Sequence, residues 1–203
     1  MTTNSLLAER EHLARLLEAV QRCAHFLHAG STSVAWPLDG AGLKLRQKDE
    51  ALFQALAALN ERFAKLQDTL GAAMRHSALL MSEPTSPFLR VLALFEKLEV
   101  IDSIDSWQLC RTARNLAAHD YETDYALIAE HFNELHSLQP VLIQAAAKLL
   151  LLCEKALSVA PATADFETEF RAACDAADAR TDRAAHSGAI HSDATDLDQE
   201  PKQ

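Results

Sequence analysis

The chain has 203 residues, 49% of them hydrophobic and 24% charged, enough to bury one substantial core and too few for two large domains. Lys and Arg number 19 against 29 Asp and Glu, a net charge of −10, which argues against coating duplex nucleic acid or an anionic membrane through bulk charge. The four cysteines, Cys23, Cys110, Cys153 and Cys174, show no C-x-x-C pairing and read as free thiols of a reducing compartment.

Acids and bases enter among the first leucines from Glu9 onward, so the start lacks the uninterrupted apolar core of a secretory signal. The most apolar run, Val141 to Cys153, contains Gln144 and Lys148 and falls short of the roughly 20 residues that cross a bilayer. A cytoplasmic protein without membrane contact is expected.

Alanine and leucine dominate while glycine and proline are confined to a few places, which predicts an all-α fold. Leu13, Leu16, Val20, Ala24 and Leu27 recur at helical steps and predict a first helix from about Ser5 to His28. Residues 29–47, with Gly30, Pro37, Gly40 and Gly42, read as a loop that Trp36 pins to the bundle. A second helix is expected from about Asp49 to Met81. Ser82 to Pro87 reads as a stop and restart, with Ser86 as cap and Pro87 at the first helical position of a third helix running to about Val100.

After a turn over Ile101 to Asp105, Asp105 and Gln108 have capping-box spacing for a fourth helix, Ser106 to about Ala118. A fifth runs from about Thr123 to Val159, kinked or restarted at Pro140. Residues 162–203 carry ten acids and four bases, a net of −6, against 19 and 15, a net of −4, in residues 1–161. The second part therefore reads as an acidic, largely disordered tail, with a short helix conceivable over Asp165 to Arg183 through Phe166 and Phe170.

The chemistry is concentrated in Arg111-Thr112-Ala113-Arg114-Asn115-Leu116-Ala117-Ala118-His119-Asp120-Tyr121. Arg111, Asn115 and His119 fall four residues apart on one line of a helix, and Arg114 sits at the edge of that row. A fixed cation for phosphate oxygens and a proton shuttle near neutral pH are what a metal-free ribonuclease requires. Five residues separate Arg114 from His119, which at about 100° per residue leaves them roughly 140° apart on a straight helix. Convergence then requires local unwinding or a second copy of the segment across a two-fold axis. The ordinary alternative is a histidine favoured by the helix dipole and an Arg114 that pairs with Asp120 or Glu122.

Arg114-Asn115-x-x-x-His119-x-Tyr121 resembles the R-x4-H-x-Y signature of HEPN-domain proteins, in particular HepT-like toxins that pair with a minimal, MntA-like nucleotidyltransferase antitoxin. The resemblance covers about residues 49–159 and includes the Ile-Asp-Ser turn, the Trp-containing helix start and the acidic turn into a long final helix. It implies an antiparallel four- to five-helix bundle over residues 1–161 that dimerises so that two motifs face one cleft. His119 would then act as general acid or base on RNA, Arg114 would stabilise charge on the phosphoryl oxygens, Asn115 would orient phosphate or histidine, and Arg111 would support the RNA contact. No cofactor or metal is implied. Tyr121 would accept AMP from the partner, adding charge and bulk at the cleft mouth. The alternative function is a non-catalytic helical substrate-binding subunit of a two-protein nucleotidyltransferase.

Other residues read less specifically. His25 and His28, and the group Glu130, His131, Glu134 and His136, lack a full ligand set at metal-binding spacing. Arg75, His76 and Arg90 would extend a phosphate-binding surface if their helices flank the motif. Leu149 to Leu152 reads as bundle core or a dimer seam.

Overall fold

A computed structural model describes residues 3–116 and 124–193, among which there are seven helices and no strand. The all-α expectation holds. Helices α1 (Thr3–Thr32) and α3 (Glu50–Leu80) form a long antiparallel pair at the centre. Their facing stripes of buried apolar residues run through Leu13, Leu17, Val20, Ala24 and Leu27 on α1 and Leu52, Leu56, Leu59, Phe63, Leu66, Leu70 and Ala73 on α3. On both helices the steps alternate between four and three, the 3.5-residue period that keeps a seam facing its partner along its whole length. Leu17, rather than Leu16, takes the core position after Leu13, and Leu16 packs partly buried beside it.

The stretch expected as loop contains more structure than its glycines imply. Helix α1 continues through Gly30 to Thr32, and a short helix, α2 (Gly40–Leu45), follows with Asp39 as its cap, accepting from the Gly42 amide at 2.7 Å. Gly40 is required here, because a Cβ would stand 2.8 Å from the Ala126 backbone. Trp36 does pin the segment: its Nε1 donates to the Ser31 carbonyl at 2.8 Å, and its ring stacks on His136 with centroids 4.1 Å apart. The Asn133 side chain closes the attachment by pairing with both the amide and the carbonyl of Leu38 at 2.8 Å each.

Two predicted caps move. Helix α4 (Phe88–Lys97) has Pro87 at its cap position with no side-chain cap bond, so Ser86 does not serve. Helix α5 (Ile104–Leu116) starts two residues before the expected Ser106, with Ser103 in the capping role that Asp105 was expected to fill. The Ser103 hydroxyl accepts from the Ser106 amide at 3.0 Å, and the Glu96 carboxylate takes the free Ile104 amide at 2.8 Å.

Helix α6 (Tyr125–Leu157) runs unbroken through Pro140, which is buried within it. A proline at position 140 has no N–H for the carbonyl of His136, four residues earlier. That carbonyl accepts instead from Arg180, a residue of α7 (Glu167–Asp193), whose other nitrogen donates to Gln139 Oε1 at 3.4 Å. The bond lost at the proline thus becomes a tertiary tie. Helix α7 lies on α1 and α6 with Phe170, Ala173 and Ala177 buried. The segment expected as a largely disordered tail is therefore helical to Asp193 and packs on the bundle through Phe170, Ala173 and Ala177, and residues 194–203 lie outside the described part.

Among the described residues all four cysteines are free. Burial pushes the Cys110 thiol up to about 12 and the Cys174 thiol to about 11, and raises Cys153 as well, so these three are unreactive packing residues. No helix of the described residues is long and apolar enough to cross a membrane.

Candidate functional site

Helix α5 is seated by Trp107, Cys110 and Ala113, all buried at three-residue spacing. The buried Gln67 amide of α3 donates to the Trp107 carbonyl at 2.9 Å. The Trp107 ring lies beside Phe88 and close to Gly71, whose missing side chain makes room for both rings. This anchoring turns the other face of the helix outward, so that Arg111 and Asn115 are both exposed, one turn apart.

Arg114 stands between the two faces, its side chain 16% exposed. Its Nη1 donates to Asp68 Oδ1 at 2.7 Å and to the Ala64 carbonyl at 3.0 Å, both on α3. A cation in the last turn of α5 also meets the negative end of the helix dipole. The ion-pair partners expected from local sequence, Asp120 and Glu122, lie outside the described residues, as do His119 and Tyr121. Among the described candidates, Arg111, Arg114 and Asn115 sit together at the end of α5, with Arg114 tied to α3.

Sequence reasoning missed Asp68 as the partner of Arg114. It also missed what Asp68 belongs to, an open groove of about 650 Å³ between α1 and α3 whose walls carry Arg22, Arg62 and Lys65. Arg62, Lys65 and Asp68 follow one face of α3 at three-residue steps, and the antiparallel packing of α1 on α3 adds Arg22. Arg75 lies over the Phe88 ring at 5.0 Å, and His76 is bound to Glu9 through its carbonyl at 2.9 Å and its carboxylate at 3.3 Å. Both are occupied in packing rather than turned toward the end of α5.

Among the described residues His12 and His76 meet edge-on with ring centroids 4.6 Å apart, and the histidines singled out from the sequence make separate packing contacts. His25 lies against Phe26 and Phe166, His131 packs edge-on against Phe132, and His136 binds Ser31 Oγ through Nδ1 at 2.9 Å beneath Trp36. Among the described residues no group of three or more His, Cys, Asp and Glu side chains is placed to hold a metal ion.

Burial, reinforced by the Arg180 charge, pushes the His136 imidazole from its ordinary 6.5 down to about 4. Burial lowers His131 and, with Arg180 and His25, His28 in the same direction. In each case the unfolded chain binds the proton more readily, so the stability these groups contribute is present above pH 6.5 and is lost as pH falls below it, for His136 down to about 4. The loss from His136 is expected to be on the order of 2 kcal/mol, allowing for its partial exposure. Thermal midpoints measured from pH 7 to pH 4.5 should fall steadily, and less steeply in His136→Gln.

The chain matches no protein-family model, no curated protein and no solved structure.

Proposed function

We propose that the protein is a metal-independent RNA endonuclease toxin of the HEPN, HepT-like type, acting as a homodimer and neutralised by AMP transfer to Tyr121 from an MntA-like nucleotidyltransferase antitoxin. The observation that carries this reading is the set Arg114-Asn115-x-x-x-His119-x-Tyr121 at the end of α5 and just beyond it. In the proposed reaction His119 takes the proton of an RNA 2′-hydroxyl. The freed oxygen attacks the adjacent phosphorus, the bond from phosphorus to the 5′-oxygen breaks, and that oxygen leaves with the proton His119 returns to it, giving a 2′,3′-cyclic phosphate and a 5′-hydroxyl. Arg114 faces the charge that grows on the phosphoryl oxygens, held in place by Asp68 and the Ala64 carbonyl, and Asn115 orients the phosphate. Transfer of AMP joins the α-phosphorus of ATP to the Tyr121 phenol oxygen and releases pyrophosphate, placing a new negative charge beside the same cleft.

Purified protein is expected to degrade RNA in the presence of EDTA, and His119→Ala to stop it. Equal degradation by the substituted protein removes the assignment. Co-expression with a cognate nucleotidyltransferase should add the mass of one AMP group per chain, and Tyr121→Phe should prevent that addition.

The two bonds that Arg114 makes within the fold favour a second reading, a non-catalytic helical subunit that presents a ligand to a nucleotidyltransferase. Such a protein is harmless when expressed alone. A toxicity in bacterial cells that disappears with Arg114→Ala or His119→Ala excludes it.

A further inference from the structure

We propose that the groove between α1 and α3 is the track for single-stranded RNA, binding backbone phosphates through Arg22, Arg62 and Lys65 and a base through Phe26; the proposal rests on the nuclease reading for its substrate class. In a chain of net charge −10, three cations line one concave strip. None of the three belongs to an ion pair among the described residues, where the pairs formed are Arg46 with Asp49, His76 with Glu9, Arg114 with Asp68, Lys148 with Asp102 and Arg171 with Glu167. The carboxylate in the groove, Asp68, is engaged by Arg114 and so offsets little of this charge. The strip therefore offers uncompensated positive charge against an apolar floor.

One of the cations is built into its position. Arg62 Nη1 donates to the Phe26 carbonyl at 3.3 Å, and a Cβ at residue 30 would come within 2.6 Å of that nitrogen. Gly30 thus leaves the space in which the guanidinium lies across α1. The guanidinium carbons of Arg22 and Arg62 both stand 5.9 Å from the centre of the Phe26 ring, whose other neighbours are His25 at 4.9 Å and Phe166 at 6.3 Å between centroids, an arrangement that still leaves Phe26 39% exposed. An exposed phenyl flanked by guanidinium groups can stack an unpaired base while the cations meet the phosphates on either side.

Single strands fit this arrangement better than duplexes. A base reaches Phe26 only when it is unstacked, and three cations are a small charge set beside what a duplex of any length presents. The groove is also joined to the proposed catalytic residues, since Asp68 on its wall holds Arg114 at the end of α5. A strand lying in it is delivered to that end of the helix.

Fluorescence anisotropy of a labelled single-stranded RNA of about 12 nucleotides, within the range of known single-strand sites, tests the groove when the full chain carries His119→Ala to prevent cleavage. Adding Arg22→Glu and Lys65→Glu is expected to weaken binding at least tenfold and to lower the salt-dependence slope by about 1.4, roughly 0.7 for each phosphate that is no longer neutralised. Phe26→Ala is expected to weaken it about tenfold with little change in slope. Unchanged binding in these variants overturns the groove. So does equal displacement of the RNA by polyglutamate, which would show an unspecific acceptor of anions, or loss of a dimer rather than of RNA binding in sedimentation, which would show a protein interface. Failure of the nuclease reading looks different: a wild-type chain that cuts no RNA, yet binds it in a manner sensitive to Lys65 and Phe26, keeps the groove and loses the catalysis. Wild-type cutting that the groove variants leave intact, with binding also intact, loses the groove alone.

Discussion

Replacing His119 by alanine is expected to lower RNA cleavage by about two to four orders of magnitude, the range that a positioned acid or base contributes, and replacing Arg114 by alanine to lower it by about two to three. The second substitution needs a control, because Arg114 also ties α5 to α3 through Asp68 and the Ala64 carbonyl. Arg114→Ala removes both bonds and should cost about 1–2 kcal/mol of stability along with the activity. Asp68→Asn separates the two roles, since it keeps the guanidinium and removes only its counter-charge. Asp68 is 66% exposed, so that change should cost little stability. For a catalytic Arg114, Asp68→Asn retains cleavage and Arg114→Ala loses it, as read by the appearance of cyclic-phosphate ends in a fixed time. For a merely structural Arg114, neither substitution changes the cleavage rate of the protein that remains folded, and only the thermal midpoints move.

How far these expectations could be reached from sequence depends on how local their causes are. The stripes of α1 and α3 are legible because a 3.5-residue period is a property of consecutive residues, and so are the all-helical class and the stop before Phe88. The caps of α4 and α5 were misplaced by one or two residues because several polar side chains compete at each start. The winner at α5, Ser103, is chosen with help from Glu96, eight residues before Ile104 and across a turn. Helix α2 escaped notice because its first glycine serves close packing on α6 rather than chain reversal.

The candidate site divides the same way. Arg111, Arg114 and Asn115 could be named from spacing along one helix, and the structure places them together at its end. Asp68 could not be assigned as the partner of Arg114, because that contact arises only when α5 packs on α3; Arg62, Lys65 and Asp68 share a face of α3 at three-residue steps, but Arg22 and Phe26 join them only through the packing of α1 on α3. The pairing of Arg180 with a carbonyl left open by Pro140 is of the same kind: the proline announces a missing donor, but nothing near it in sequence says which residue replaces it.

The acidic segment after Pro161 offers the other large test. Its net charge of −6 over residues 162–203 draws attention to solvated side chains, yet Phe170, Ala173 and Ala177 fall on one helical face and are buried against α1 and α6. Ending the chain at Pro161 is therefore expected to lower the thermal midpoint by roughly 6–20 °C, whereas loss of a disordered tail would leave it unchanged. The size follows from about 2–3 kcal/mol for burying Phe170 and about 0.8 kcal/mol for each alanine methyl, with a further 1–3 kcal/mol or so, roughly, for the His136 carbonyl that loses Arg180. Ordering the helix offsets part of this sum, and a net of about 3–5 kcal/mol moves the midpoint by roughly 2–4 °C per kcal/mol in a chain of this size. Arg180→Ala in the full chain isolates the carbonyl contribution and should cost about 1–3 kcal/mol. Its cost should shrink in a Pro140→Ala background, because an alanine amide at position 140 can supply the helical bond that the proline withholds. Equal costs in the two backgrounds would show that Arg180 holds α7 by some other interaction, and an unchanged midpoint on truncation would place α7 outside the cooperative fold.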